Sequence, residues 1–323
     1  MGDRNVSNFF KAIQGILVVI VMIGVGFFFA QKGWFDEKFT KTISKVVTNI
    51  ALPCYMIATI SNQFTPTDLQ RDLPMLVFPA LSMLILFAFS FVVIKMLRIP
   101  DYRRGSFSSM FFNSNTVFIG LPVNIALFGT KSLPFVLVYY IANTTIFWTL
   151  GVWLIQRDGQ INTKLSIKEI VGRIFSPPLL GFMIAIVLVI LPFNVFHYVP
   201  FLHQDLVYLG NLTIPLSMIF IGISISRVGI KRIRIDRSSV GIIAGRFIFA
   251  PLLMSLLLLP INLPVLVKQI FIIQSAMPVM TNAPIVANMY NADADFASIM
   301  VAETTLLSLI VIPILMTLVQ LIH

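Results

Sequence analysis

Charge is scarce in this sequence, and so are the residues that build most catalytic and metal centres. Only 11% of the 323 residues are charged, with one cysteine and three histidines. The lone Cys54 excludes an internal disulfide and reads as a small apolar core residue. The histidines, His197, His203 and His323, offer no metal-ligand cluster with it. No nucleophile–base pair and no extramembrane domain supports an enzyme or a receptor, and no cofactor is expected. Acidic residues are the rarer sign, 13 Asp and Glu against 23 Lys and Arg. What fills the chain is apolar. The hydrophobic share is 58% and the mean hydropathy +0.93, more than a soluble domain could bury. The fold class that follows is an all-α polytopic membrane protein with the lipid bilayer as its solvent. The basic excess falls in short linkers between apolar runs, which fits membrane topology and no nucleic-acid partner.

Ten stretches approach the roughly 20 residues that a bilayer requires. They are 12–30, 43–60, 75–94, 105–127, 133–155, 177–191, 206–225, 240–259, 268–289 and 296–322. The first is too long for a signal peptide and lacks its cleavage pattern. Internal similarity divides the chain. Asn282-Ala283-Pro284 repeats Gly120-Leu121-Pro122, Pro215 stands to Pro53 at the same spacing, and Val301–Thr305 aligns with Ile141–Thr145 near it. Residues 1–158 therefore read as a first five-helix repeat, 159–176 as a cytoplasmic linker, and 177–323 as a second repeat. An odd number of spans per repeat turns the second upside down. Alternate linkers, counted with Lys45 just inside the second span, hold 17 of the Lys and Arg, so by the positive-inside rule that side is cytoplasmic and both termini are extracytoplasmic.

Two spans are interrupted. Gly120 suits the left-handed conformation that ends a helix, while Pro122 suits a first helical turn and disfavours the α region at Leu121. Asn282, Ala283 and Pro284 repeat the device. In lipid such a break survives only where protein or water satisfies the freed backbone, so the two breaks are expected to cross at a binding site. The half-helices that follow would aim free N–H groups and positive dipole ends at one place, which suits a carboxylate. Asn113, Asn115, Thr116, Asn124, Thr281, Asn282 and Asn288 surround it as candidate substrate contacts. Each could instead cap a broken helix.

Two ionisable residues lie within apolar runs. Arg246 in the eighth span is a candidate cation for a dianionic substrate, with snorkelling to the surface as the alternative. Glu303 takes the place of Asn143 between the repeats. It is a coupling-proton candidate, or else a structural partner of Arg246. Gly241 and Gly245 form a small-residue motif read as helix packing.

The stretches LPCYMIAT, NSNTVFIGLPV, TIPLSMIFIGISIS, GRFIFAP and MPVMTNAPIVA resemble the auxin efflux carrier family, and the likeness runs along nearly the whole chain. The family includes plant auxin carriers and bacterial permeases for malate and malonate, and the bacterial type is the closer likeness. The resemblance implies five plus five inverted helices, with scaffold and transport domains each assembled from both repeats. It implies that the fourth and ninth spans cross at Pro122 and Pro284, and that substrate beside them moves in an elevator-like manner. The expected function is secondary active transport of a small carboxylate such as malate or malonate across the cell membrane, with H+ or Na+ as candidate coupling ions. Homodimer formation stays open. A cation/proton antiporter or sodium symporter of similar broken-helix fold is the competing reading. An antiporter is expected to carry carboxylates at the crossing, and neither interrupted span contains Asp or Glu.

Overall fold

The computed structural model describes residues 2–159, 175–228, 235–320 and 322. Most of the 159–176 linker and the basic residues Lys164, Lys168, Arg173, Lys231, Arg232 and Arg234 lie outside the described residues. In chain order the principal helices are α1 (Gly2–Gln31), α2 (Glu37–Val46), α3 (Leu52–Gln63), α4 (Val77–Leu97), α5 (Arg104–Phe112), α6 (Leu121–Phe128), α7 (Leu133–Ile146) and α8 (Val152–Asp158). They continue with α9 (Pro177–Ile190), α10 (Pro200–Gly210), α11 (Thr213–Val228), α12 (Arg237–Ala244), α13 (Ala250–Leu258), α14 (Val265–Ser275), α15 (Ala283–Met289) and α16 (Ala294–Val319). Among the described residues there is no strand, only an isolated antiparallel bridge between Ser114 and Val279.

Among the described residues six stretches are long and apolar enough to cross a membrane: Lys38–Asn62, Pro66–Leu97, Thr130–Asp158, Pro200–Arg227, Arg237–Leu258 and Ala294–Val319. Shorter apolar helices, Leu17–Gln31, Thr116–Phe128, Pro177–Ile190 and Val265–Ser275, occupy the first, fourth, sixth and ninth predicted spans. The chain is thus an all-helical polytopic membrane protein.

Several spans are continuous but locally widened. Val47–Ala51, Thr116–Gly120 and Gly245–Phe249 are single π-helical turns, each followed two residues later by a proline: Pro53, Pro122 and Pro251. The cause is the pyrrolidine ring. It removes one N–H and collides with the carbonyl four residues back, and a turn one residue wider relieves that collision without ending the helix. Phe147–Gly151 is a fourth π turn, with glycine in place of a nearby proline.

The chain divides into two compact units, each drawing segments from both halves of the sequence. One comprises Met1–Val18, Leu76–Ser166 and Val228–His323, and the other Val19–Met75 and Ile167–Arg227. Backbone contact through glycine builds the second unit. A Cβ on Gly26 would stand 2.3 Å from the Ile219 carbonyl oxygen, and one on Gly222 would stand 2.1 Å from that of Ile23, so α1 and α11 touch main chain to main chain. Gly181 on α9 and Gly210 on α10 press in the same way on Pro53 and Tyr55 of α3. Small residues at such crossings gain van der Waals contact where lipid supplies no hydrophobic drive between helices.

Aspartates fasten one end of the first unit. Asp236 accepts from Ser239 N–H at the start of α12, and Asp293 accepts from Phe296 N–H at the start of α16. Asp158, closing α8, accepts from Gly105 and Ser106 N–H at 2.8 and 2.6 Å and so caps α5 from another span. Such caps contribute about 1 kcal/mol each. Arg103 then links two of them, reaching Asp293 at 2.6 Å and Asp236 at 3.4 Å with its guanidinium over the Phe296 ring. Four predicted linkers, three–four, five–six, seven–eight and nine–ten, therefore meet at one end of this unit.

Candidate functional site

Both interrupted spans belong to the first unit, and their interruptions do meet. The first break lies earlier than predicted. Gly120 and Leu121 are right-handed helical, and Pro122 widens the helix rather than starting it. The chain is extended instead at Asn113, beyond the end of α5, and re-enters helix at Thr116. The local cause is the Asn-Ser-Asn run, whose side chains compete with helical hydrogen bonds. Asn115 accepts from Phe118 N–H at 3.1 Å and so caps the new helix. Gly120 serves close approach: a Cβ there would stand 2.4 Å from Gln274 Oε1. In the ninth span the second half-helix starts at Ala283, with Pro284 in its first turn as expected. The first half already ends at Ser275, because Pro278 lacks a donor and pushes Met277 out of the α region.

The two extended segments run antiparallel where they cross. Asn115 N–H donates to the Pro278 carbonyl at 2.8 Å. The crossing point is therefore Ser114 against Val279, not Pro122 against Pro284. Side chains from neighbouring helices replace the partners that a sheet would supply. Asn143 on α7 accepts from Ser114 N–H at 2.9 Å and donates to its carbonyl at 2.8 Å. Thr304 on α16 accepts from Val279 N–H at 3.1 Å. This is how an extended backbone survives at membrane depth.

Arg246 sits in the π turn between α12 and α13 and is fully buried. Its Nε donates to the Met277 carbonyl at 3.0 Å, one terminal nitrogen to Phe111 at 3.3 Å and the other to Ser275. It thus holds the C-terminal carbonyls of both first half-helices. Those ends carry roughly half a negative charge each, which one guanidinium offsets. Glu303 is buried on α16, one residue before Thr304. Gly245 and Gly241 let this helix close on α5: a Cβ at either would fall within 3 Å of the Phe111 or Phe107 ring.

Asn113, Asn115, Thr116 and Asn124 are all buried. Asn124 donates to the Gly120 carbonyl at 2.7 Å and Asn113 to that of Ser109 at 3.2 Å. Asn113 Oδ1, Asn115 Nδ2, Asn124 Oδ1 and Gln274 Oε1 are buried without a hydrogen-bond partner among the described residues. Thr281 and Asn282 are half-buried at the start of α15, and the Asn282 side chain makes no capping bond. Asn288 is exposed near the far end of α15. Sequence reading missed Gln274, Thr304 and Pro278. The Asn-Ser-Asn run and Met-Pro-Val were the available signals for the true breaks.

A family described as membrane transport protein matches residues 11–316. An uncharacterized transporter of Methanocaldococcus jannaschii is 27% identical over 301 residues, covering 92% of this chain and 95% of its own. Another uncharacterized transporter, from Methanothermobacter thermautotrophicus, is 22% identical over 315 residues, 95% of this chain and 98% of its own.

Proposed function

Because the chain belongs to the membrane transport protein family, that of the auxin efflux carriers, we propose that it is a secondary active transporter of small organic anions, carboxylates such as malate or malonate. One observation carries the reading: two broken spans cross at a buried point where helix N-termini, a guanidinium and unsatisfied amides converge. Arg246 offsets the two negative helix ends, so the positive ends beginning at Thr116 and Ala283 remain in excess and favour an anion. Asn115 Nδ2 is a buried donor left for a bound carboxylate, while the free oxygens of Asn113, Asn124 and Gln274 accept and would take a proton or water carried with the substrate. Thr281 and Asn282 stand at the open start of α15. Arg246 acts through its field and through the ends it holds, and Glu303 remains the coupling-proton candidate.

Ten spans in two inverted repeats, both termini outside, account for the four linkers gathered by Arg103 and Asp158 at one end. In this scheme the unit bearing the crossing is the transport domain and moves in an elevator-like manner across the cell membrane. Uptake of labelled malate, malonate and monocarboxylates into proteoliposomes, under imposed pH and sodium gradients, tests the proposal. Gradient-driven accumulation of one carboxylate is expected. Accumulation of a cation in exchange for protons, with no carboxylate moved, would replace it with the antiporter reading.

A further inference from the structure

A cavity of about 590 Å³ opens at the end of the first unit, away from the crossing, between the last turn of α4, the start of α5 and the last turn of α8. Its size falls in the ordinary range for small-ligand sites, roughly 300–1,000 Å³. Lys95, Arg104 and Arg157 line it together with Phe91, Ile94 and Leu154. Two carboxylates are present but engaged: Asp158 caps α5 with both oxygens, and Asp101 pairs with Arg104 at 2.7 Å. Lys95 and Arg157 form no ion pair among the described residues, and Arg157 lies over the face of Trp153. Below the cations, α4 presents an exposed apolar strip that includes Leu84, Phe91, Val92 and Met96. Trp153 is 48% exposed, as suits the level where tail region gives way to headgroups.

From this placement we infer that the cavity is a binding site for an anionic phospholipid, its phosphate held by Lys95, Arg104 and Arg157 and its acyl chains laid along α4. A free phosphate would use the cations and leave the apolar strip unmatched. A lipid uses both. Basic clusters on the cytoplasmic side of membrane spans attract anionic headgroups on general electrostatic grounds, and the positive-inside argument puts these residues on that side. The inference depends on the membrane location, not on the transported substrate. A bound lipid would join α4, α5 and α8 at the end where Asp158 already ties two of them.

The test uses the full chain in detergent, with lipid retention read by native mass spectrometry and stability by thermal denaturation. Phosphatidylglycerol should be retained and raise the melting temperature, while phosphatidylcholine and inorganic phosphate at equal concentration should do neither. Lys95→Gln with Arg157→Gln, both exposed and remote from the crossing, should weaken phosphatidylglycerol retention at least tenfold without changing the lipid-free melting temperature. Should the double variant prove unstable, Lys95→Gln alone, expected to lose several-fold, decides the matter. Equal retention of the two lipids, an equal effect of phosphate, or undiminished retention by the variants would each overturn the assignment.

Discussion

At Arg246 one guanidinium satisfies three buried carbonyls, so removing it strands buried acceptors. Arg246→Gln should cost about 3 kcal/mol or more, by analogy with removing one partner of a buried charged contact, and should lower the melting temperature of the purified protein. Arg246→Lys should recover only part, because a point charge cannot reproduce the planar fork. A full-strength fold with lost uptake would instead assign Arg246 to direct substrate contact. The crossing offers a graded comparison. Asn143→Leu strands both the N–H and the carbonyl of Ser114, whereas Thr304→Val strands one N–H of Val279. With about 1–3 kcal/mol per stranded group, the Asn143 variant should melt at the lower temperature. These roles were only partly legible in the sequence. A buried arginine announced itself by its cost in lipid, but its partners are backbone carbonyls, which leave no mark in a list of side chains.

The helical elements were legible from apolar run length, and their interruptions from composition, yet the exact breaks were not. Proline at position 122 looked like a helix start because its missing donor and its clash are local facts. Whether a helix ends or merely widens depends on packing on its other side, where Gln274 lies against Gly120. The asparagine pair around Ser114 decides the true break through caps and contacts from α7 that exist only in the folded chain. Pro122→Ala should therefore let the Thr116–Gly120 turn relax to ordinary α geometry. That rotates Asn115 and Thr116 relative to Asn124, and uptake should fall at least tenfold while folded yield is retained. Normal uptake would remove the widened turn from the mechanism.

For the whole molecule, the placement of basic residues predicts an orientation that thiol labelling reads directly. On a Cys54→Ser background, Asp101→Cys should be shielded from an impermeant maleimide in intact cells, whereas Lys131→Cys should react. The reverse pattern would put both termini inside. The grouping of segments into two units was not readable from charge or hydropathy, since it depends on contacts between residues far apart in sequence, such as Arg103 with Asp293. The single guanidinium that ties both broken spans carries a thermodynamic corollary. If the unit moves as proposed, two half-sites pinned to one cation travel together and present the same set of residues to either compartment. Net direction would then come from the electrochemical gradient of whatever travels with the anion, and reversing that gradient in proteoliposomes should reverse the flux.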